Sequence, residues 1–124
     1  MKDQFVDYQT ALRLKKLGFE EECIAFYLFD KQLQLSCAVY NNNSYWKDSK
    51  FKELSAPLWQ QVTKWLREVH HFNMYITPST HNDIEGWKYC LPGTGIWTPQ
   101  ANKKNYPTYE LALSEGLTEA LKLI

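Results

Sequence analysis

Apolar residues recur at Leu58, Val62, Trp65, Leu66 and Val69, with Gln61, Lys64, Arg67 and Glu68 facing away. That spacing is the signature of an amphipathic helix with one core-facing stripe. Ser55 is placed to cap it, and Pro57 falls in its first turn. An earlier helix is predicted from Asp7, a good N-cap residue, through Tyr8, Ala11, Leu12, Leu14 and Leu17. Lys15 and Lys16 suit its negative end, and Gly18 suits the left-handed position that follows a helix. Phe19 should then fold back onto Leu14. A last helix starts near Thr108 and lines up Leu113, Gly116, Leu117, Ala120, Leu121 and Ile124. A mid-helix glycine costs about 1 kcal/mol against alanine. Gly116 on the buried stripe therefore points to the close approach of a neighbour.

Between the helices the period changes to two. Cys23 to Phe29 is apolar on both faces and reads as a central strand. After a turn at Asp30-Lys31-Gln32, Leu33, Leu35, Cys37 and Val39 alternate with Gln34, Ser36 and Ala38, as in a half-buried hairpin partner. Phe72, Met74 and Ile76 alternate with Asn73, Tyr75 and Thr77 in a third strand, ended by Pro78. Ser79 to Glu85 reads as a loop, Trp87 to Leu91 as a fourth strand, and Gly93 to Pro107 as a long polar loop. The order is α-β-β-α-β-β-α, with the flavour of two helix-then-hairpin units. It predicts an α+β fold: one four-stranded, mostly antiparallel sheet with the helices on one face and the surplus aromatics on the other.

The length of 124 residues suits a single domain spanning 1–124 that buries a core without metals or disulfides. Formal net charge is zero, which argues against nucleic acid, because phosphate neutralisation needs a basic excess. Three cysteines, Cys23, Cys37 and Cys90, cannot all pair within one chain, and free thiols fit a reducing cytoplasm. The opening Met1-Lys2-Asp3-Gln4-Phe5 lacks a signal-peptide pattern, and no stretch approaches the roughly 20 apolar residues of a membrane span.

Five Trp, eight Tyr and six Phe are the chain's most distinctive asset, because Tyr and Trp suit half-wet surfaces. Tyr45-Trp46-Lys47 with Lys50-Phe51-Lys52 is the most nucleic-acid-like stretch, since rings stack on bases while lysines meet phosphates. Asp48 and Glu53 beside it, and the neutral charge, favour a loop that closes the core. Tyr45, Trp46, Lys47, Lys50, Trp87 and Trp97 are the candidate binding residues.

The remaining motifs have plainer readings. His70-His71 point about 100° apart on a helix and so are poor joint metal ligands. Cys90, His81 and Asp83 are the right types for nucleophilic catalysis, but Cys90 sits in a strand where a small buried cysteine is common. Glu20-Glu21-Glu22 reads as a solvated loop. Asn42-Asn43-Ser44 fits a glycosylation acceptor but, without secretion, is a polar turn. Leu91-Pro92-Gly93-Thr94-Gly95 spells the L-P-x-T-G signal of sortase substrates. It lacks the hydrophobic span and basic tail that follow it there, and reads as a strand end and turn. No phosphate-binding loop, metal-ligand spacing or catalytic motif emerges, so no cofactor or metal is expected and the chain does not read as an enzyme.

Three stretches carry a resemblance: Tyr8 to Phe19 with Glu20-Glu21-Glu22-Cys23 after it, Pro57 to Glu68, and Tyr109 to Ile124. They are similar to small proteins, without assigned activity, that accompany prophages and mobile elements of gut anaerobic bacteria. The resemblance implies a bacterial cytoplasmic origin and transfers no site residues. The expected function is a protein-interaction module of a phage or mobile element, with protein as partner or a homo-oligomer. The alternatives are single-stranded nucleic-acid binding through Tyr45 to Lys52, and a small-ligand or enzyme site drawing on His81, Asp83 and Cys90.

Overall fold

A computed structural model describes residues 2–28, 30–40, 43, 53–91, 100–101 and 105–124. The fold is α+β. The chain divides into two compact units, Met1–Gln61 and Val62–Ile124.

In the first unit, helix α1 (Tyr8–Lys16) begins where expected, with the Asp7 carboxylate accepting from the Thr10 N–H at 2.8 Å. Its end is a Schellman closure. Phe19 N–H donates to Leu14 O at 2.9 Å and Gly18 N–H to Lys15 O at 3.1 Å, with Gly18 at φ 87°. Leu14 and Phe19 are both fully buried.

Strand β1 (Cys23–Tyr27) lies between β2 (Leu33–Tyr40) and a short β3 (Leu54–Ser55), all antiparallel. It is central, as expected, but its two faces are unequally covered, with Phe26 half-buried beside Ile24. Cys23, Ala25 and Tyr27 are buried while Ile24 is exposed. The Tyr27 hydroxyl donates to Val6 O at 2.6 Å, and Tyr8 meets the Tyr27 ring edge-on at 5.6 Å.

The expected apolar side of β2 is largely uncovered beyond half-buried Leu33. Leu35 is 60% and Val39 51% exposed, whereas Gln34 and Ser36 are half-buried. The register slips between Cys23↔Tyr40 and Ala25↔Leu35. A bulge of this kind re-aims the side chains that follow, and an edge strand leaves them uncovered.

Ser55 does not cap a helix. It belongs to β3, and helix α2 (Trp59–Val69) starts four residues later. The Ser55 hydroxyl is committed to Asn43, whose backbone N–H donates to it at 3.1 Å. Pro57 precedes the helix, and its carbonyl accepts from Val6 N–H at 3.0 Å. Of the predicted stripe, Val62, Trp65 and Leu66 are buried and Leu58 half-buried, but Val69 is exposed.

The second unit departs from expectation in its strands. Pro78 does not end a strand: β4 (Tyr75–His81) runs through it. The sheet order is β4-β5-β6, so β4 is an edge, where a proline's missing N–H costs nothing. Ser79 to Glu85 is not a loop but a hairpin, closed by Asn82 and Asp83 at φ 50° and 62°, and β5 (Ile84–Leu91) begins straight after. Two positive φ values in a two-residue connection match the turn that follows strand twist best. Inside the expected loop Gly93 to Pro107, β6 (Gln100–Ala101) pairs with Leu91 and Cys90, and Tyr106 bridges Trp87.

Helix α3 (Tyr109–Lys122) is capped by Thr108, which accepts from Leu111 N–H at 3.1 Å. Leu113, Gly116, Leu117, Ala120 and Leu121 are buried, as the period predicted, and Ala112 joins them, while Ile124 lies past the helix and is half-buried. The helix lies against β5 and β4.

The single four-stranded sheet is thus corrected to two three-stranded antiparallel sheets, because β3 and β6 are too short to register as periodic patterns. Their orders differ as well. The first strand is central in one and the second strand in the other, so the two sheets do not share a topology.

Candidate functional site

Five of the six candidate binding residues, Tyr45, Trp46, Lys47, Lys50 and Trp97, lie outside the described residues. Trp87 is described, and it leads to a cluster. Residues 87 and 89 alternate with the buried Cys90 and share the β5 face that meets α3. Trp87 packs edge-on against Tyr109, the first residue of α3, with centroids 5.4 Å apart and rings 87° apart. Tyr89 stacks on Tyr106 at 6.1 Å and 28°. Backbone pairing fixes the second contact: Trp87 N–H donates to Tyr106 O at 2.9 Å, and Tyr106 N–H to Trp87 O at 2.8 Å.

All four rings are half-buried. Trp87 and Tyr89 therefore sit on the helix-bearing face of this sheet, while Tyr75, paired with Cys90, lies exposed on the opposite one. The spacing that could have found Tyr109 is its place seven residues before Gly116, on the buried stripe. Tyr106 gave no signal, since only the bridge to Trp87 brings it in.

The helix comes close because residue 116 is glycine. A Cβ there would lie 2.6 Å from Tyr89 Cβ and 3.1 Å from Met74 Sδ. This approach places Glu115 and Glu119 beside the phenols. Burial raises the Tyr89 hydroxyl above its ordinary pKa, with Glu119 and Glu115 adding to the rise. Burial likewise raises that of Tyr106, followed by Tyr89, Glu115 and Glu119. Both phenols therefore stay neutral and polar at physiological pH.

His81, Asp83 and Cys90 are not brought together. His81 and Asp83 belong to the hairpin end, where His81 pairs with Ile84. Cys90 lies six residues further along β5, roughly 20 Å away. Its register partner is Tyr75. His70 and His71 diverge. His70 turns edge-on to Trp65 at 4.6 Å, while His71 is exposed at φ 54°. Among the described residues no group of three or more His, Cys, Asp or Glu could hold a metal ion. Glu20, Glu21 and Glu22 are all exposed. Among these residues, too, no helix is long and apolar enough to cross a membrane.

Cys23 is a buried free thiol that burial pushes up to about 12 from its ordinary 9.0. Only the thiolate is nucleophilic. Iodoacetamide at pH 8, with products mapped by mass spectrometry, should leave Cys23 unlabelled in the folded chain and modify it readily in urea. Equal labelling rates in the two states would refute the assignment. The linkage has a definite sign. A raised folded pKa contributes stability below the unfolded value near 9 and loses it as pH climbs towards about 12.

No family model matches the chain, and neither comparison with curated proteins nor comparison with solved structures returns a match.

Proposed function

We propose that the chain is a protein-interaction module and that Trp87, Tyr89, Tyr106 and Tyr109 form its contact surface. The observation that carries this reading is the half-buried state of all four rings around one strand and one helix. Rings fixed by a β-bridge and a helix start lose little entropy on binding, and Tyr and Trp are the residues that dominate interface energetics. A setting in a prophage or mobile element of an anaerobic bacterium rests on the resemblance of the three helical stretches alone.

The test is photo-crosslinking. A benzophenone amino acid replaces Tyr109 in one sample and Gln9, exposed on α1, in another. Each full-length chain is irradiated in lysate of a gut anaerobe. Discrete protein adducts from position 109 that are absent from position 9 are expected, and an adduct of twice the chain mass would identify self-association. Matching adduct patterns at both positions, or none at 109, would reject the reading.

A further inference from the structure

We infer that the group this surface takes is a cationic side chain, lysine or arginine, presented by the partner protein between the Tyr89 and Tyr106 rings and the carboxylates of Glu115 and Glu119. The inference rests on the interaction reading above and adds the chemistry of the partner. Tyr89 and Tyr106 stack at 28° to one another and are half-buried, and tyrosine rings attract ammonium and guanidinium groups. Glu115 and Glu119 are four residues apart and so share a side of α3. They flank Gly116, the residue in contact with Tyr89.

Complementarity decides between occupants. α3 carries Glu110, Glu115 and Glu119 against Lys122 alone. An apolar partner would strip water from the carboxylates and give them no counter-charge, which is unfavourable. A phosphate backbone would meet like charge. A cation satisfies both the rings and the acids. The chain supplies a precedent in Lys122, whose ammonium sits 3.0 Å from Glu119 Oε1. That pair is exposed on both sides, at 65% and 44% of the side-chain surface, and surface pairs of this kind are readily exchanged.

The experiment is an NMR titration of the full chain with acetylated, amidated penta-arginine and penta-lysine, with penta-glutamate as control. Saturable binding is expected for the basic peptides only. Amide shifts should be confined to β5, Tyr106 and α3, and affinity should fall at least tenfold in the double variant Glu115→Gln, Glu119→Gln. The double variant changes only outer positions of the helix, and its spectrum reports whether it is folded. Tyr106→Leu should weaken binding independently.

Absence of binding, shifts centred on Glu20 to Glu22, or undiminished affinity in the double variant would each overturn the inference. If the basic peptides fail while crosslinking at position 109 still captures a partner, the interaction surface stands and only its cationic specificity falls.

Discussion

Asn43→Ala is expected to destabilise the first unit by about 3 kcal/mol, a larger effect than its place in a polar run of sequence suggests. Its side chain is buried and closes two backbone groups at once. Nδ2 donates to Phe19 O at 2.8 Å, and Oδ1 accepts from Ser55 N–H at 3.0 Å. Alanine takes the amide acceptor from the N–H of fully buried Ser55 and the amide donor from the carbonyl of fully buried Phe19. Each lost partner of a buried backbone group costs about 1–3 kcal/mol.

The reverse truncation is milder. Ser55→Ala removes one hydroxyl acceptor from the Asn43 N–H, so about 1–2 kcal/mol is expected. Asn43→Asp separates the two roles. The N43D carboxylate still accepts from Ser55 but sets an oxygen against the Phe19 carbonyl. Its deficit should shrink on acidification, when a protonated carboxyl can donate. Urea midpoints for the three variants at pH 7 and pH 4 test this. An unfolding free energy for Asn43→Ala within about 0.5 kcal/mol of the parent would show that the two side-chain bonds carry no net stability.

The same residues show why some of the fold was legible in sequence and some was not. The α1 ending was legible because every part is local. Leu14, Lys15, Gly18 and Phe19 fall within six positions, and the closing bonds run between them. The α3 stripe was legible for the same reason. Ser55 misled because its hydroxyl has two uses. Capping is local, whereas the partner it actually takes lies twelve residues back.

Pro78 misled because a proline stops a central strand but not an edge, and edge status depends on pairing order. The Asn82-Asp83 turn was hidden because the strands before and after it are polar near the hairpin end. In the candidate site, Trp87 was legible as an aromatic on a strand. Tyr109 was within reach of the helix period, but Tyr106 joins the cluster only through its bridge to Trp87. The Tyr45 to Lys52 stretch, which held most of the sequence-based candidates, lies outside the described residues.

Gly116→Ala is expected to cost about 2 kcal/mol although it improves helix propensity. Two terms oppose. Alanine gains about 1 kcal/mol over glycine inside a helix. Against it, the new methyl would lie 2.6 Å from Tyr89 Cβ and 2.8 Å from Cγ. Overpacking of this kind costs about 1–3 kcal/mol. The upper end applies because Cβ is fixed by the strand and cannot swing away as the tip of a long side chain can. The net effect is therefore a loss.

The geometry also says what will not rescue it. Tyr89→Ala keeps its own Cβ, so the clash survives in the double variant. Only Tyr89→Gly clears the space, at the expense of the stacked ring. Thermal and urea unfolding of Gly116→Ala, Tyr89→Ala and the combination decide the matter. Restoration of the lost stability by Tyr89→Ala would place the conflict at the ring and not at the backbone approach.

Function should follow the same displacement. If alanine pushes α3 outward, Glu115 and Glu119 move away from Tyr89 and Tyr106, and affinity for basic peptides should drop even where the protein remains folded. Retained affinity at reduced stability would mean that the carboxylates and the rings need no such closeness to act together.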